Sequence, residues 1–225
     1  MSWKFRALKK VLSEFRGESV DDLGVFRFIF MQIVVSSINF FVITTNSRKR
    51  YCFGIVTCEE KMSNKILKAM KIARKVHSDQ EDKLGMPYMA HVIDVSKRVS
   101  DLGEKYEITA LLHDALEDAH PDILKEIESE VKEFGKEIFD AITAMTKTEK
   151  DDYFEDYLPR VKENKIATKV KIADASHNLS KNYLLPVNNQ NKSRNKYTKV
   201  LIYFDQDPVK CEKRISFDGN QWIEI

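Results

Sequence analysis

Leu111-Leu112-His113-Asp114-Ala115-Leu116-Glu117-Asp118 is the stretch on which the reading of this chain turns. As a helix it sets His113 and Glu117 four residues apart on one face, and Asp114 and Asp118 make a second such pair one step round. Four ionisable groups on one side of a helix are most simply a solvated face. The neighbours argue otherwise, because Ala110, Leu111, Leu112, Ala115 and Leu116 are what a buried helix carries. A carboxylate buried without a partner is costly, and a bound cation is one way to offset that cost.

A cation needs further ligands, and two other strings offer them. Pro87-Tyr88-Met89-Ala90-His91 puts an imidazole at the start of the preceding helix, and Lys171-Ile172-Ala173-Asp174-Ala175-Ser176-His177-Asn178 puts a carboxylate into a later apolar one. His91, His113, Asp114 and Asp174 make a two-His, two-carboxylate set suited to Mn²⁺, Fe²⁺ or Zn²⁺. The absence of thiolates argues against a structural zinc site.

Composition narrows the frame. The 225 residues are 43% hydrophobic and 32% charged, which sets disorder, collagen and a disulfide scaffold aside. With 7 Gly and neither GxGxxG nor GxxxxGK, no Gly-rich loop is available to wrap phosphates. Phosphates must be held by something else. The 37 basic and 35 acidic side chains leave +2, too balanced for nucleic-acid binding driven by net charge. Three cysteines, two of them (Cys52, Cys58) without a nearby His, fit a reducing cytoplasm better than a metal or disulfide framework. Residues 28–47 carry no charge, yet Gln32, Ser36, Ser37, Asn39, Thr44 and Thr45 interrupt them, which argues against a membrane span.

The chain changes character near residue 61. Before it, Trp3–Phe15 has helical spacing, and Val25–Val35, Asn39–Thr44 and Tyr51–Thr57 read as a short β meander. From 62 to 204 the signals are helical, with helices expected at 106–117, 121–131, 135–145, 152–163, 166–180 and 193–204, and with Gly103 as a C-cap. Arg214–Phe217 and Gln221–Ile225, around Asp218-Gly219-Asn220, read as a terminal hairpin. The expected architecture is therefore all-α: a helical bundle at 62–204, a β-containing annex at 1–61 that is expected to be dispensable, and a tail or hairpin at 205–225.

Taken together, five strings resemble an HD-domain metal-dependent phosphohydrolase: Val76–Gln80, Gly85–His91, Leu111–Asp118, Thr146-Lys147 and Val170–Asn178, in this order. Within that superfamily they are most similar to the hydrolase domain of RelA/SpoT-type alarmone enzymes and their small stand-alone relatives. The resemblance implies that His91, His113, Asp114 and Asp174 bind metal, with Mn²⁺ the usual ion. It implies that Glu117 and Asp118 orient or deprotonate the attacking water, and that Asn178 lies beside the nucleotide sugar. Lys83, Lys147, Arg194 and Tyr197 are its candidates for phosphate or base contacts. The implied reaction is removal of the 3′-pyrophosphate from guanosine tetra- or pentaphosphate in the cytoplasm, with a small nucleotide as the only implied partner.

Two departures bear on substrate. Where the alarmone hydrolases carry an Arg-Lys pair that packs on guanine, this chain has Asp82-Lys83, and a carboxylate there is expected to disfavour a nearby phosphate. Where the small relatives have an Arg four residues before the late Tyr, this chain has Ser193, with Arg194 three before Tyr197. A nucleoside 5′-monophosphatase, another nucleotide phosphohydrolase, and a module that senses a nucleotide without cleaving it are the competing readings. Of the remaining histidines, His77 and His177 are expected to support the site, and His120 to cap a helix at the surface.

Overall fold

The computed structural model describes residues 63–225, which belong to the unit Met62–Ile225. The expected annex, with its helix, its β meander, the uncharged segment 28–47 and the thiols Cys52 and Cys58, lies outside the described residues. No helix among the described residues is long and apolar enough to cross a membrane.

The described chain is helical. Ser63 starts α1 (Asn64–His77), its hydroxyl accepting from the Ile66 amide at 3.2 Å. A loop then leads to α2 (Tyr88–Val99), which ends in a 3₁₀ turn, Ser100–Leu102. Next come α3 (Glu104–Leu111), the short α4 (Ala115–Asp118), α5 (Pro121–Lys132) and α6 (Lys136–Met145). Pro121 stands at the start of α5, where its missing N–H costs nothing. A π-helical turn, Tyr153–Tyr157, runs into α7 (Leu158–Glu163). Helix α8 (Lys165–Ser180) begins at Asn164, whose side chain accepts from the amides of Ile166 and Ala167 at 3.0 Å. Then follow α9 (Val187–Tyr203), α10 (Pro208–Cys211) and an antiparallel hairpin, β1 (Ile215–Phe217) with β2 (Trp222–Glu224).

Helix α8 is the axis of the bundle and packs on α2, α3, α6, α7, α9 and α10. That explains its sequence, which buries eleven residues around its circumference rather than along one stripe. Val95, Leu158, Val170, Leu179 and Leu201 form one core around it. Ile72, Leu111, Ile127 and Ile142 form a second between α1, α3, α5 and α6. A third, small cluster joins Ala90, Ile215 and Trp222, with Leu84, Met86 and Phe217 against them, so the hairpin packs on the foot of α2 and on the loop before it.

The structure corrects two expectations and bears out Gly103 as a C-cap. The helix expected through 106–117 stops at Leu111, and residues 112–114 form a turn before α4. Leu112 (φ −115°, ψ 9°) and Asp114 (φ −105°, ψ 1°) lie in the bridge region, where active-site residues often sit. The last long helix starts at Val187, not at 193. Gly103, at φ +108°, closes the 3₁₀ turn but also opens α3.

The loop before α2 is compact. Tyr88 N donates to Gln80 O at 2.8 Å, Asp82 N to Met86 O at 2.8 Å, and Gly85 N to Asp82 O at 2.9 Å. Gly85 takes φ +72°, which favours glycine at this turn.

Candidate metal centre and cleft

Two helices and one turn bring their polar side chains to one point. Helix α2 brings His91, the turn after α3 brings His113 and Asp114, and one ligand atom from each lies within 4.8 Å of the others. This is the ligand cluster found among the described residues. Asp174, from the middle of α8, stands against it with Oδ1 3.4 Å from His91 Nε2. Of the four expected ligands, three form the cluster. The fourth borders it, with its Oδ2 held by Lys171 Nζ at 2.9 Å.

The helix break explains how neighbours in sequence reach a common point. His113 is wholly buried, and its Nδ1 lies 2.8 Å from Ala110 O, which locks the ring after the end of α3. Its Nε2 has no hydrogen-bond partner, although Asp114 Oδ2 lies only 2.9 Å away. A buried imidazole nitrogen left without a partner beside a carboxylate is the environment a divalent cation completes. Tyr88 OH donates to Asp114 Oδ2 and fixes that carboxylate from the other side.

Electrostatics point the same way. Burial opposes a charge on His113, but Asp114 and Asp174 outweigh it and push its pKa up to about 9. Burial would raise Asp114, yet His113, Lys171 and Tyr88 hold it well below the usual carboxylate range. His91 is driven well below the ordinary histidine value by burial and by His177, Lys181 and His113, which keeps its ring neutral and able to ligate. The carboxylates thus favour positive charge at this point while His91 resists carrying it as a proton. A metal ion satisfies both.

Outside the ligands, Asp94 Oδ2 accepts from Arg98 Nε at 2.6 Å and lies 2.7 Å from His177 Nδ1. The His177 ring meets that of His91 edge to face at 4.7 Å. His77 is buried, with Nδ1 2.5 Å from Gln80 Oε1, and Gln80 Nε2 donates to Asp118 Oδ2 at 2.9 Å. His120 is exposed and caps α5, accepting from the Asp122 amide at 3.3 Å.

A cleft of about 310 Å³ opens at the cluster, lined by His91, Asp114 and Asp174 together with residues 81–84, Leu185, Ser193, Lys196 and Tyr197. Lys83, Asn178 and Tyr197 line it. Asn178 donates to Asp174 Oδ1 at 2.7 Å, so it orients that carboxylate as well as facing the cleft. Glu117 and Asp118 are exposed on α4, beyond the cluster. Glu117 Oε2 accepts from the Lys147 amide at 2.9 Å, and partial desolvation of this otherwise exposed side chain, helped by the charge of Asp114, raises its carboxyl above its ordinary value. Lys147 therefore touches Glu117 through its backbone, while its Nζ donates to Thr148 O at 3.3 Å. Arg194 is not brought in: its guanidinium makes a bidentate pair with Glu212 at 2.7 and 2.6 Å, away from the cleft.

The expected conflict between Asp82 and phosphate also needs correction. Asp82 Oδ1 accepts from the amides of Leu84 and Met86 at 2.8 and 3.1 Å, and Oδ2 accepts from Lys181 Nζ at 2.7 Å. Its charge is spent inside the loop and neutralised by a buried lysine. Sequence reasoning missed Tyr88, Lys171, Lys181 and Lys196 as cleft residues, although Tyr88 and Lys171 stand inside the strings that drew attention.

Residues 69–180 match the family model described as HD domain. Over that stretch the chain is similar to HD domains. Within that class it is similar to RelA/SpoT-type hydrolases. A protein named guanosine-3′,5′-bis(diphosphate) 3′-pyrophosphohydrolase from Aquifex aeolicus (strain VF5) is 34% identical over 94 residues, covering 40% of this chain and 13% of that protein. One of the same name from Borreliella burgdorferi is 33% identical over 142 residues, covering 56% of this chain and 20% of that protein. The chain thus spans a fifth or less of the length of these relatives. A solved structure described as a metazoan ortholog of SpoT that hydrolyzes ppGpp superposes with a TM-score of 0.54 at 22% identity, covering 64% of this chain and 86% of that one, which establishes the shared fold.

Proposed function

We propose that this protein hydrolyses a nucleotide phosphate or pyrophosphate ester, with guanosine-3′,5′-bis(diphosphate) as first substrate and its 3′-pyrophosphate as the group removed. The observation that carries the reading is the His91, His113 and Asp114 cluster at a cleft lined also by lysines. With Asp174 beside them, these residues would hold one divalent cation, Mn²⁺ in this reading. Such an ion, when bound, lowers the pKa of a coordinated water and polarises a phosphoryl oxygen.

The chain's own residues do the rest. Tyr88 and Asn178 fix the carboxylates of Asp114 and Asp174. In this reading Glu117, held by the Lys147 amide and with its carboxyl raised above its ordinary value, is the base that takes a proton from the attacking water, with Asp118 beside it in sequence. Hydrolysis breaks one P–O bond: the water oxygen joins phosphorus, and a proton ends on the leaving 3′-oxygen. Lys83 binds phosphate, and Tyr197 lines the same cleft. The same reading places the protein in the cytoplasm, the catalytic domain at 62–204 and a dispensable annex at 1–61.

A second reading, another nucleotide phosphohydrolase such as a 5′-monophosphatase, is favoured by one observation: the base-side position that carries Arg in alarmone hydrolases is Asp82, bound to Lys181. A nucleotide screen with Mn²⁺ separates the two. Pyrophosphate release supports the first, orthophosphate release the second, and saturable binding without turnover would leave a sensor.

A further inference from the structure

We propose that Lys196 is the cation of α9 that binds a substrate phosphoryl group, acting with Lys83, which lines the same cleft. The inference rests on the hydrolase reading and specifies how that site grips a phosphate-rich ligand.

Four lysines line the cleft, and two are already committed. Lys171 is buried on Asp174 at 2.9 Å, and Lys181 is buried on Asp82 at 2.7 Å. Neither Lys83 nor Lys196 has a carboxylate within 4.0 Å among the described residues. On α9, Ser193, Lys196 and Tyr197 are spaced i, i+3, i+4 and share the face that lines the cleft. Arg194 lies one step off that face, and Glu212 occupies its guanidinium.

Lys196 is also held in place. Its ammonium sits 4.4 Å from the centre of the Tyr153 ring and 5.4 Å from that of Tyr197, so two aromatic faces hold the charge itself where it lines the cleft. Desolvation, and after it the nearby Lys171, pulls its pKa below the ordinary lysine value. An anion with several negative oxygens is the ligand that relieves two ammonium groups lining one cleft. The chemical class is therefore a phosphate or pyrophosphate moiety held apart from the metal ligands. The position that loses the family's Arg at 193 is compensated three residues later.

The test is calorimetric titration of inorganic pyrophosphate into the full chain with Mn²⁺ present, comparing wild type with Lys196→Met, Lys196→Arg, Lys83→Met and Arg194→Met. Lys196→Met keeps an apolar stem on Tyr153 and is expected to weaken binding about tenfold to a hundredfold, the loss of one charge-assisted hydrogen bond. Lys196→Arg should restore most of it, and Lys83→Met should weaken it comparably. Mn²⁺ stoichiometry and the thermal midpoint should not move, and Arg194→Met should bind as wild type does. Unchanged affinity in Lys196→Met, a loss in Arg194→Met equal to or larger than that in Lys196→Met, or no pyrophosphate binding by wild type would overturn the proposal. Failure of the hydrolase reading shows separately, as absence of turnover across the nucleotide screen in a protein that still binds pyrophosphate through Lys196.

Discussion

Replacing Asp82 with Asn tests how the cleft's outer loop is held. The Asp82 and Lys181 side chains are only 6% and 9% exposed, with 2.7 Å between Oδ2 and Nζ. Asn keeps an oxygen for the Leu84 and Met86 amides but removes the charge that faces Lys181, which leaves a buried ammonium unpaired. Breaking a buried pair from one side costs about 3–5 kcal/mol. For a unit of this size each kcal/mol moves the midpoint by about 2–4 °C, so Asp82→Asn should unfold about 6–20 °C earlier by circular dichroism at pH 7. Adding Lys181→Met removes the orphaned charge and should recover most of the loss. The pH dependence has a definite sign. Burial alone would raise the Asp82 carboxyl, but Lys181 and the two amides hold it below its usual value. Its contribution is therefore complete above the unfolded carboxyl value of about 4 and disappears as pH falls through the lower folded value. The gap between wild type and variant should be full at neutral pH and close in strong acid. A midpoint shift under about 2 °C at pH 7, or a double variant no better than the single one, would refute the account of this loop.

Three further outcomes follow from the site. Asp114→Ala should lose bound Mn²⁺, about one ion per wild-type chain by elemental analysis. It should abolish turnover with far-UV circular dichroism unchanged, and surviving turnover would move the chemistry elsewhere. Lys171→Met strips Asp174 of its buried partner and should destabilise the metal-free protein by about 3–5 kcal/mol in urea unfolding, with Mn²⁺ recovering part of it. An equal loss with and without Mn²⁺ would count against Asp174 as a ligand. Glu117→Gln should lower kcat about 10²- to 10⁴-fold and flatten the acid limb of the pH profile, because the Glu117 carboxyl, raised by partial desolvation, must be ionised to accept a proton. A retained acid limb would assign it to another group.

Much of the bundle is legible in the sequence because apolar spacing and caps report it directly. Ser63, Pro121 and Asn164 stand where their helices begin, and the apolar run 166–180 becomes the buried axis. The break after Leu111 is not legible, because Ala, Leu, Glu and the i, i+4 pairs of 111–118 all favour a continuous helix. At the break the His113 ring competes locally for Ala110 O, and the Asp114 carboxylate is drawn to Tyr88, 26 residues away in sequence. The metal cluster survives that misreading because ligand identity does not depend on the helix register. The Asp82–Lys181 pair joins residues 99 apart in sequence, and no local pattern announces it. The cleft face of α9 was within reach, since Ser193, Lys196 and Tyr197 have helical spacing. The family resemblance points to Arg194 instead, one step off that face.

The terminal hairpin gives the molecule a built-in optical probe. Trp222 is buried, its ring meets that of His177 edge to face at 5.5 Å, and Lys181 Nζ lies 5.4 Å from its centre. One indole therefore touches the support of His91 and the partner of Asp82 together. The chain has one other tryptophan, Trp3, so in a Trp3→Phe background all indole emission comes from Trp222. Metal loading at one end of the cleft and ligand arrival at the other can then be followed by fluorescence, without a label and without waiting for turnover.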